Sequence, residues 1–187
     1  MPAILELPEV RQRVSTLTVE EYHRLDEYNE HGRRTELIRG IVIEKMSKSP
    51  STPPSPNGCT TSCWPGSPAG WVVRREDPLT LKDSEPEPDI AVVRGTERDF
   101  FNAHPQTAEW VVEIAVSSPV LDRENASLYA EAGVAEYWIV LGTTQQVEIY
   151  RQPAGGRYRE RALRSGADAL ECAAPPGIHL RVSDLFA

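Results

Sequence analysis

The sequence predicts one α/β (α+β) domain, built as a central mixed sheet flanked by helices. Three observations carry that expectation: an apolar strand at residues 110–118 with one carboxylate in its middle, a switch to helical period directly after it, and a strand pair at 136–150. In the first of these, Val112, Ile114 and Val116 point one way while Val111, Ala115 and Ser117 point the other, so both faces read as buried. Glu113 shares the second face. A lone ionised carboxylate costs several kcal/mol to bury unless it is paired, hydrogen-bonded or bound to a metal. Something must meet Glu113 there.

Taken in order, residues 1–16 form an arm and residues 17–187 the domain. Thr18-Val19-Glu20-Glu21 has the form of a capping box and opens a helix to about Glu30, with Gly32 as its stop. Thr35 to Met46 reads as two short strands turning at Arg39-Gly40. The stretch 47–70 is irregular, with six prolines among Ser, Thr, Gly and Cys, and Trp64 as its only large apolar side chain before the order resumes. A loop of that length is uncommon inside a compact domain. A strand starts at Trp71, and Pro86 and Pro88 hold the chain extended before a further strand at Asp89 to Val93. Ser117 and Ser118 end the central strand and cap the next helix, which carries Leu121, Leu128 and Ala132 on one side and stops at Gly133. A hairpin turns at Gly142-Thr143-Thr144. Residues 157–160 and 178–182 add edge strands, and Ser183 is placed as the cap of a last turn.

At 187 residues and 40% hydrophobic content the chain can bury one good core. No apolar run approaches the roughly 20 residues needed to span a bilayer, and residues 1–9 lack the pattern of a signal peptide, so no membrane role and a cytoplasmic location are expected. A net charge of −8 argues against a protein that coats nucleic acid nonspecifically. It leaves room for an enzyme that meets DNA through a local basic edge, for which Arg33-Arg34 and Arg74-Arg75 are the candidates. Cys59, Cys63 and Cys172 are too few for a disulfide framework and lack the partners of a zinc site. The four histidines are scattered without ligand spacing.

Asp89 at one strand start and Glu113 within another are two carboxylates that neighbouring strands can hold side by side. A hard divalent ion such as Mg²⁺ (or Mn²⁺) takes oxygen ligands of this kind and keeps several waters. The plainer alternative has Asp89 capping a turn and Glu113 paired with an arginine.

Four motifs shift that balance: Glu36-Leu37-Ile38-Arg39-Gly40, Pro88-Asp89 with Ile90 to Val93, Val112 to Ser118, and Leu128-Tyr129-Ala130-Glu131-Ala132-Gly133-Val134-Ala135-Glu136-Tyr137-Trp138-Ile139-Val140. Together they resemble the Uma2 family, grouped with restriction endonucleases in the PD-(D/E)XK nuclease superfamily, over roughly Leu17 to Phe186. The resemblance implies a restriction-endonuclease-like core and Mg²⁺-dependent hydrolysis of DNA phosphodiesters. Carried over by position, Asp89 and Glu113 hold the metal with the backbone carbonyl of Ile114 as a third ligand, and Glu36 is an auxiliary acid. DNA is the implied partner, and superfamily analogy points to a homodimer for double-strand cutting.

The chain departs from that pattern twice. The superfamily lysine two residues after the glutamate is Ala115 here, and the family's substitute, on the next helix four residues before the tyrosine, is Asn125. An amide hydrogen-bonds but supplies no positive charge, so weak activity is expected, and the rival reading is a catalytically inactive nuclease-fold binding or regulatory protein. The other departure is Ser51 to Pro68, where the family carries a helix. Suitable codons read one base out of register there encode an amphipathic helix, and the hypothesis of a local frameshift restored before Trp71 is tested by the gene sequence: incompatible codons rule it out. A small structural protein without a nucleic-acid role is the third reading.

Overall fold

The central strand was expected to be buried on both faces, and in the structure, a computed structural model, it is. Residues 7–26, 34–45, 69–116, 118–173 and 179–186 are described. The expectations for Glu30, Gly32, Arg33, Cys59, Cys63, Trp64, Ser117 and the segment Ser51 to Pro68 lie outside them. The chain divides into two compact units, Met1–Met46 with Lys82–Pro86, and Ser47–Leu81 with Glu87–Ala187.

The second unit holds a six-stranded sheet. Its strands are β3 (Trp71–Arg74), β4 (Ile90–Arg94), β5 (Trp110–Ala115), β6 (Glu136–Leu141), β7 (Gln146–Ala154) and β8 (Arg157–Ser165), adjacent in that order. Every pairing is antiparallel except β5 with β6, which run parallel. A parallel pair needs a crossover, and the helix α3 (Val120–Glu131) supplies it. The sheet is therefore mixed for a local reason: one βαβ step is inserted between hairpins. The whole is a mixed α+β fold with few helices, as the strand and helix periods predicted.

One face of this sheet carries Ile90, Val92, Trp110, Val112, Ile114, Trp138, Val140, Val147 and Ile149, closed over by Leu170, Cys172, Val182 and Leu185 from the C-terminal region. Trp110 and Trp138 meet edge to face at 4.7 Å. The other face lies under α3, whose buried Leu128 and Tyr129 point inward, with Tyr129 and Tyr137 ring centroids 4.9 Å apart. Val134, after α3, is fully buried, and Gly133 adopts φ +75° to end the helix as expected.

Several local expectations are corrected. The N-cap of α3 is Pro119, without a side-chain cap, so Ser118 does not cap it; the first-turn bond runs from the Arg123 N–H to the Pro119 carbonyl. The strand β10 (His179–Arg181) does not extend the main sheet but pairs with β9 (Ala169–Glu171) in a separate two-stranded ladder. Ser183 sits inside the final 3-10 turn (Val182–Leu185), and Asp184 closes that turn by accepting from the Arg181 N–H at 2.9 Å. Edge strand β8 is longer than predicted: it runs nine residues, most of them exposed, and so lacks the apolar alternation that marks a strand.

The first unit contains α1 (Pro8–Arg11), α2 (Val19–Asp26) and a hairpin of β1 (Thr35–Ile38) and β2 (Ile41–Glu44). The capping box forms: Thr18 N–H donates to Glu21 at 2.8 Å, and the Glu21 N–H to the Thr18 hydroxyl at 3.2 Å. Arg39 and Gly40 take φ of +53° and +75°, the type I′ geometry of a two-residue turn. A Cβ on Gly40 would also lie 2.5 Å from Thr16 Cβ and 2.9 Å from the Leu17 carbonyl oxygen. Gly40→Ala is therefore expected to cost about 2 kcal/mol or more, from left-handed strain plus displaced backbone. A urea melt checks it; an unchanged midpoint would contradict this account of the turn. Among the described residues, no helix is long and apolar enough to cross a membrane.

Candidate active site

Strands β4 and β5 pair through Ile90 with Val112, and one step further along that register Asp89 faces Glu113. There the backbone ladder gives way to side chains. The Asp89 carboxylate accepts the Ile114 N–H at 2.7 Å, and the Asp89 N–H donates to Glu113 Oε2 at 3.3 Å. Proline explains the change. Pro88 has no N–H to offer, and its carbonyl accepts instead from the Glu76 N–H at 3.0 Å. The prolines that hold this stretch extended thus leave the strand end to the two carboxylates.

Both carboxylates are half-buried, and Glu113 is met from α3. Tyr129, fully buried on that helix, donates its hydroxyl to Glu113 Oε1 at 2.9 Å. Among the partners that meet Glu113 are two donors, one from the Asp89 backbone and one from the helix. Asn125 precedes Tyr129 by four residues, one helical turn away on the same face, and is 4% exposed. Glu36 lies in the first unit, in β1, where Lys45 pairs with it at 3.1 Å.

Among the described residues there is no group of three or more His, Cys, Asp or Glu side chains able to hold a metal. The side-chain oxygens brought together at Asp89 are those of two carboxylates, Asp89 and Glu113. That fits Mg²⁺, which is commonly bound through one or two carboxylates plus water and substrate phosphates, and does not fit a zinc-type cage.

Arg74 does not form the exposed basic edge expected of it. Its side chain is 10% exposed, lies over the Phe100 ring at 5.6 Å and bonds His104 Nδ1 at 3.2 Å. Arg75 beside it is exposed. Glu148 on β7, 2% exposed, is on the α3 side of the sheet and receives Arg123 Nη2 at 2.5 Å, the Tyr150 hydroxyl at 2.6 Å and Arg161 Nη2 at 2.8 Å. Sequence reading missed this cluster and the role of Tyr129. The i, i+4 spacing of Asn125 and Tyr129 was a usable signal for the tyrosine; nothing local linked Arg123, Glu148 and Arg161.

Burial acts to raise the Glu148 pKa, but the hydrogen bonds from Arg123 and Tyr150 and the charges of Arg161 and Arg123 outweigh it, so the carboxyl titrates below its ordinary value of 4.5. Burial, and then the bond to Glu148, pushes the Tyr150 phenol up and keeps it a donor. A depressed folded-state pKa gives stability that is fully present above the unfolded value and is lost as pH falls through the folded value. Glu148→Gln is therefore expected to cost about 3 kcal/mol at pH 7. The gap between the two proteins should narrow as pH drops below about 4.5, and melts across pH 3 to 7 measure it. A gap that stays constant with pH would contradict the role given to the ionised carboxylate.

The family model described as "Putative restriction endonuclease", Uma2, matches residues 19–183. No curated protein matches the chain. Among solved structures the chain is similar to one titled a "putative nuclease belonging to DUF820" from Anabaena variabilis ATCC 29413. The identity is 21%, covering 91% of this chain and 97% of that one, with a TM-score of 0.68. At that identity the likeness shows a shared fold. The family match runs from the first residue of α2 into the final turn and includes Asp89, Glu113, Asn125 and Tyr129, so the chain belongs to the Uma2 family.

Proposed function

We propose that this protein is a metal-dependent DNA endonuclease whose centre is the Asp89–Glu113 pair, with Mg²⁺ or Mn²⁺ as its ion. The observation that carries this reading is the place where the β4–β5 ladder hands over to two facing carboxylates. Asp89, Glu113 and the Ile114 carbonyl would hold the ion. When bound, such an ion acts as a Lewis acid on phosphate oxygens and lowers the pKa of water.

The chain's own groups set the geometry. The Ile114 N–H fixes the Asp89 carboxylate, and Tyr129 fixes Glu113 from the helix side, so neither acid needs to reorganise when substrate arrives. Asn125 stands where a cationic side chain would orient the attacking water and balance charge on the phosphate. Its amide leaves that task half done. Glu36 is assigned an auxiliary acid by family resemblance, and Glu36→Gln tests that assignment by its cleavage rate.

A second reading, a catalytically inactive nuclease-fold protein that binds DNA or regulates, is favoured by Asn125 itself. Conversion of supercoiled plasmid to nicked or linear form, with Mg²⁺ or Mn²⁺ against EDTA, decides between them. Metal-dependent cleavage by the chain or by its Asn125→Lys variant supports the nuclease. No cleavage by either protein would overturn it.

A further inference from the structure

Glu148 lies in the same rank of the sheet as the candidate centre. In register, Glu113 faces Ile139, Ile139 faces Glu148, and Glu148 faces Leu163. Register partners share a face, and two strand spacings separate the backbone at Glu113 from that at Glu148 by about 10 Å. Helix α3 spans both positions, reaching Glu113 through Tyr129 and Glu148 through Arg123.

Two guanidiniums converge on this single buried carboxylate. Arg123 engages it through Nε and Nη2, and Arg161 through Nη2 while lying over the Tyr150 ring at 5.3 Å. A guanidinium has five N–H donors, so most of those on Arg161 are not used by Glu148. The two side chains remain 43% and 59% exposed. Their like charges, held against one anion, repel each other, and a second anion placed between them would relieve that repulsion. Asp122, the residue before Arg123, is the other carboxylate that acts on that arginine. On the outer side the charge is basic: β8 carries Arg157, Arg159, Arg161 and Arg164 against Glu160 alone, +3 in nine residues of a chain whose net charge is −8.

We propose that Arg123 and Arg161, seated on buried Glu148, form a fork for phosphate oxygens of a DNA backbone, gripping the strand beside the Asp89–Glu113 pair. The fork rests on the nuclease reading for the identity of the polymer. Planar guanidinium pairs suit this task, because they meet phosphate in a bidentate way. DNA carries one charge per 3.4 Å of axis on each strand, so a fork about 10 Å away would hold a phosphate within about three nucleotides of the one cut. The grip would fix register without reading sequence.

The test is binding of a short DNA duplex to the full chain in EDTA, followed by fluorescence anisotropy across a salt series. Arg161→Gln leaves Arg123 on Glu148, and a matching melting temperature would show that the fold is kept. Its slope of log affinity against log salt is expected to fall by about 0.9, with binding about tenfold weaker near 0.1 M salt. Arg161→Lys, which keeps the charge, should retain most of the slope. Inorganic phosphate at equal ionic strength should displace DNA from the wild type more than from Arg161→Gln. Equal slopes for wild type and Arg161→Gln would overturn the fork while leaving the nuclease reading standing. Absence of duplex binding by the wild type at the lowest salt would also overturn the fork, and plasmid cleavage would then judge the nuclease reading separately.

Discussion

Asn125→Lys is expected to raise metal-dependent DNA cleavage by about 100-fold, the scale associated with a well-placed general acid–base group or charge stabiliser. Residue 125 is buried on the sheet-facing side of α3, one turn before the tyrosine that bonds Glu113. A lysine there would be held near two carboxylates, which favour its charged form and offset the cost of burying it. The amide of Asn125 can orient a water but leaves the charge developing on phosphate uncompensated. Single-turnover nicking of plasmid by the two proteins measures the difference, and equal rates would sink the assignment of this position.

The second large effect is a loss. In the Asn125→Lys background, Glu113→Gln and Asp89→Asn are each expected to lower cleavage by at least about 100-fold, since each removes charge from the ion's binding set. Tyr129→Phe should be gentler. It removes one donor that orients Glu113, and second-sphere losses of this kind weaken metal affinity by about 10 to 100-fold. Metal titrations of cleavage rate separate the cases: Tyr129→Phe should recover at high metal, whereas the carboxylate variants should not. Full activity in Glu113→Gln would remove that residue from the centre.

How much of this was legible in the sequence depends on whether the signal was local. Glu113 could be found because a carboxylate in an apolar strand breaks a two-residue period, and its face followed from Val111 and Ala115. Asp89 could be found because Pro86 and Pro88 mark a strand start. The capping box of α2, the Arg39-Gly40 turn and the Gly133 stop were likewise written in a few adjacent residues. The ladder hand-over at Asp89 was not, because it depends on the register that brings Asp89 to Glu113, 24 residues on in the chain. The same holds for Glu148, whose donors come from a helix and a strand on either side of it in the chain. The strand β8 was underread because a nine-residue edge strand with four arginines looks like solvated surface, and β10 was misplaced because three residues cannot specify which sheet they join. Arg74 was misjudged for a related reason: it reads as exposed, like its neighbour Arg75, until Phe100 and His104 are brought over it.

The most direct test of the central claim is a thermal melt of the purified chain with and without millimolar Mn²⁺ or Mg²⁺, repeated on Glu113→Gln. An ion that binds only the folded state at about ten times its Kd adds about 1.4 kcal/mol. For a chain of this size that corresponds to a rise of about 3 to 6 °C. That rise is expected in the wild type and not in Glu113→Gln. No rise in the wild type, or the same rise in both proteins, would contradict a metal centre at Asp89 and Glu113.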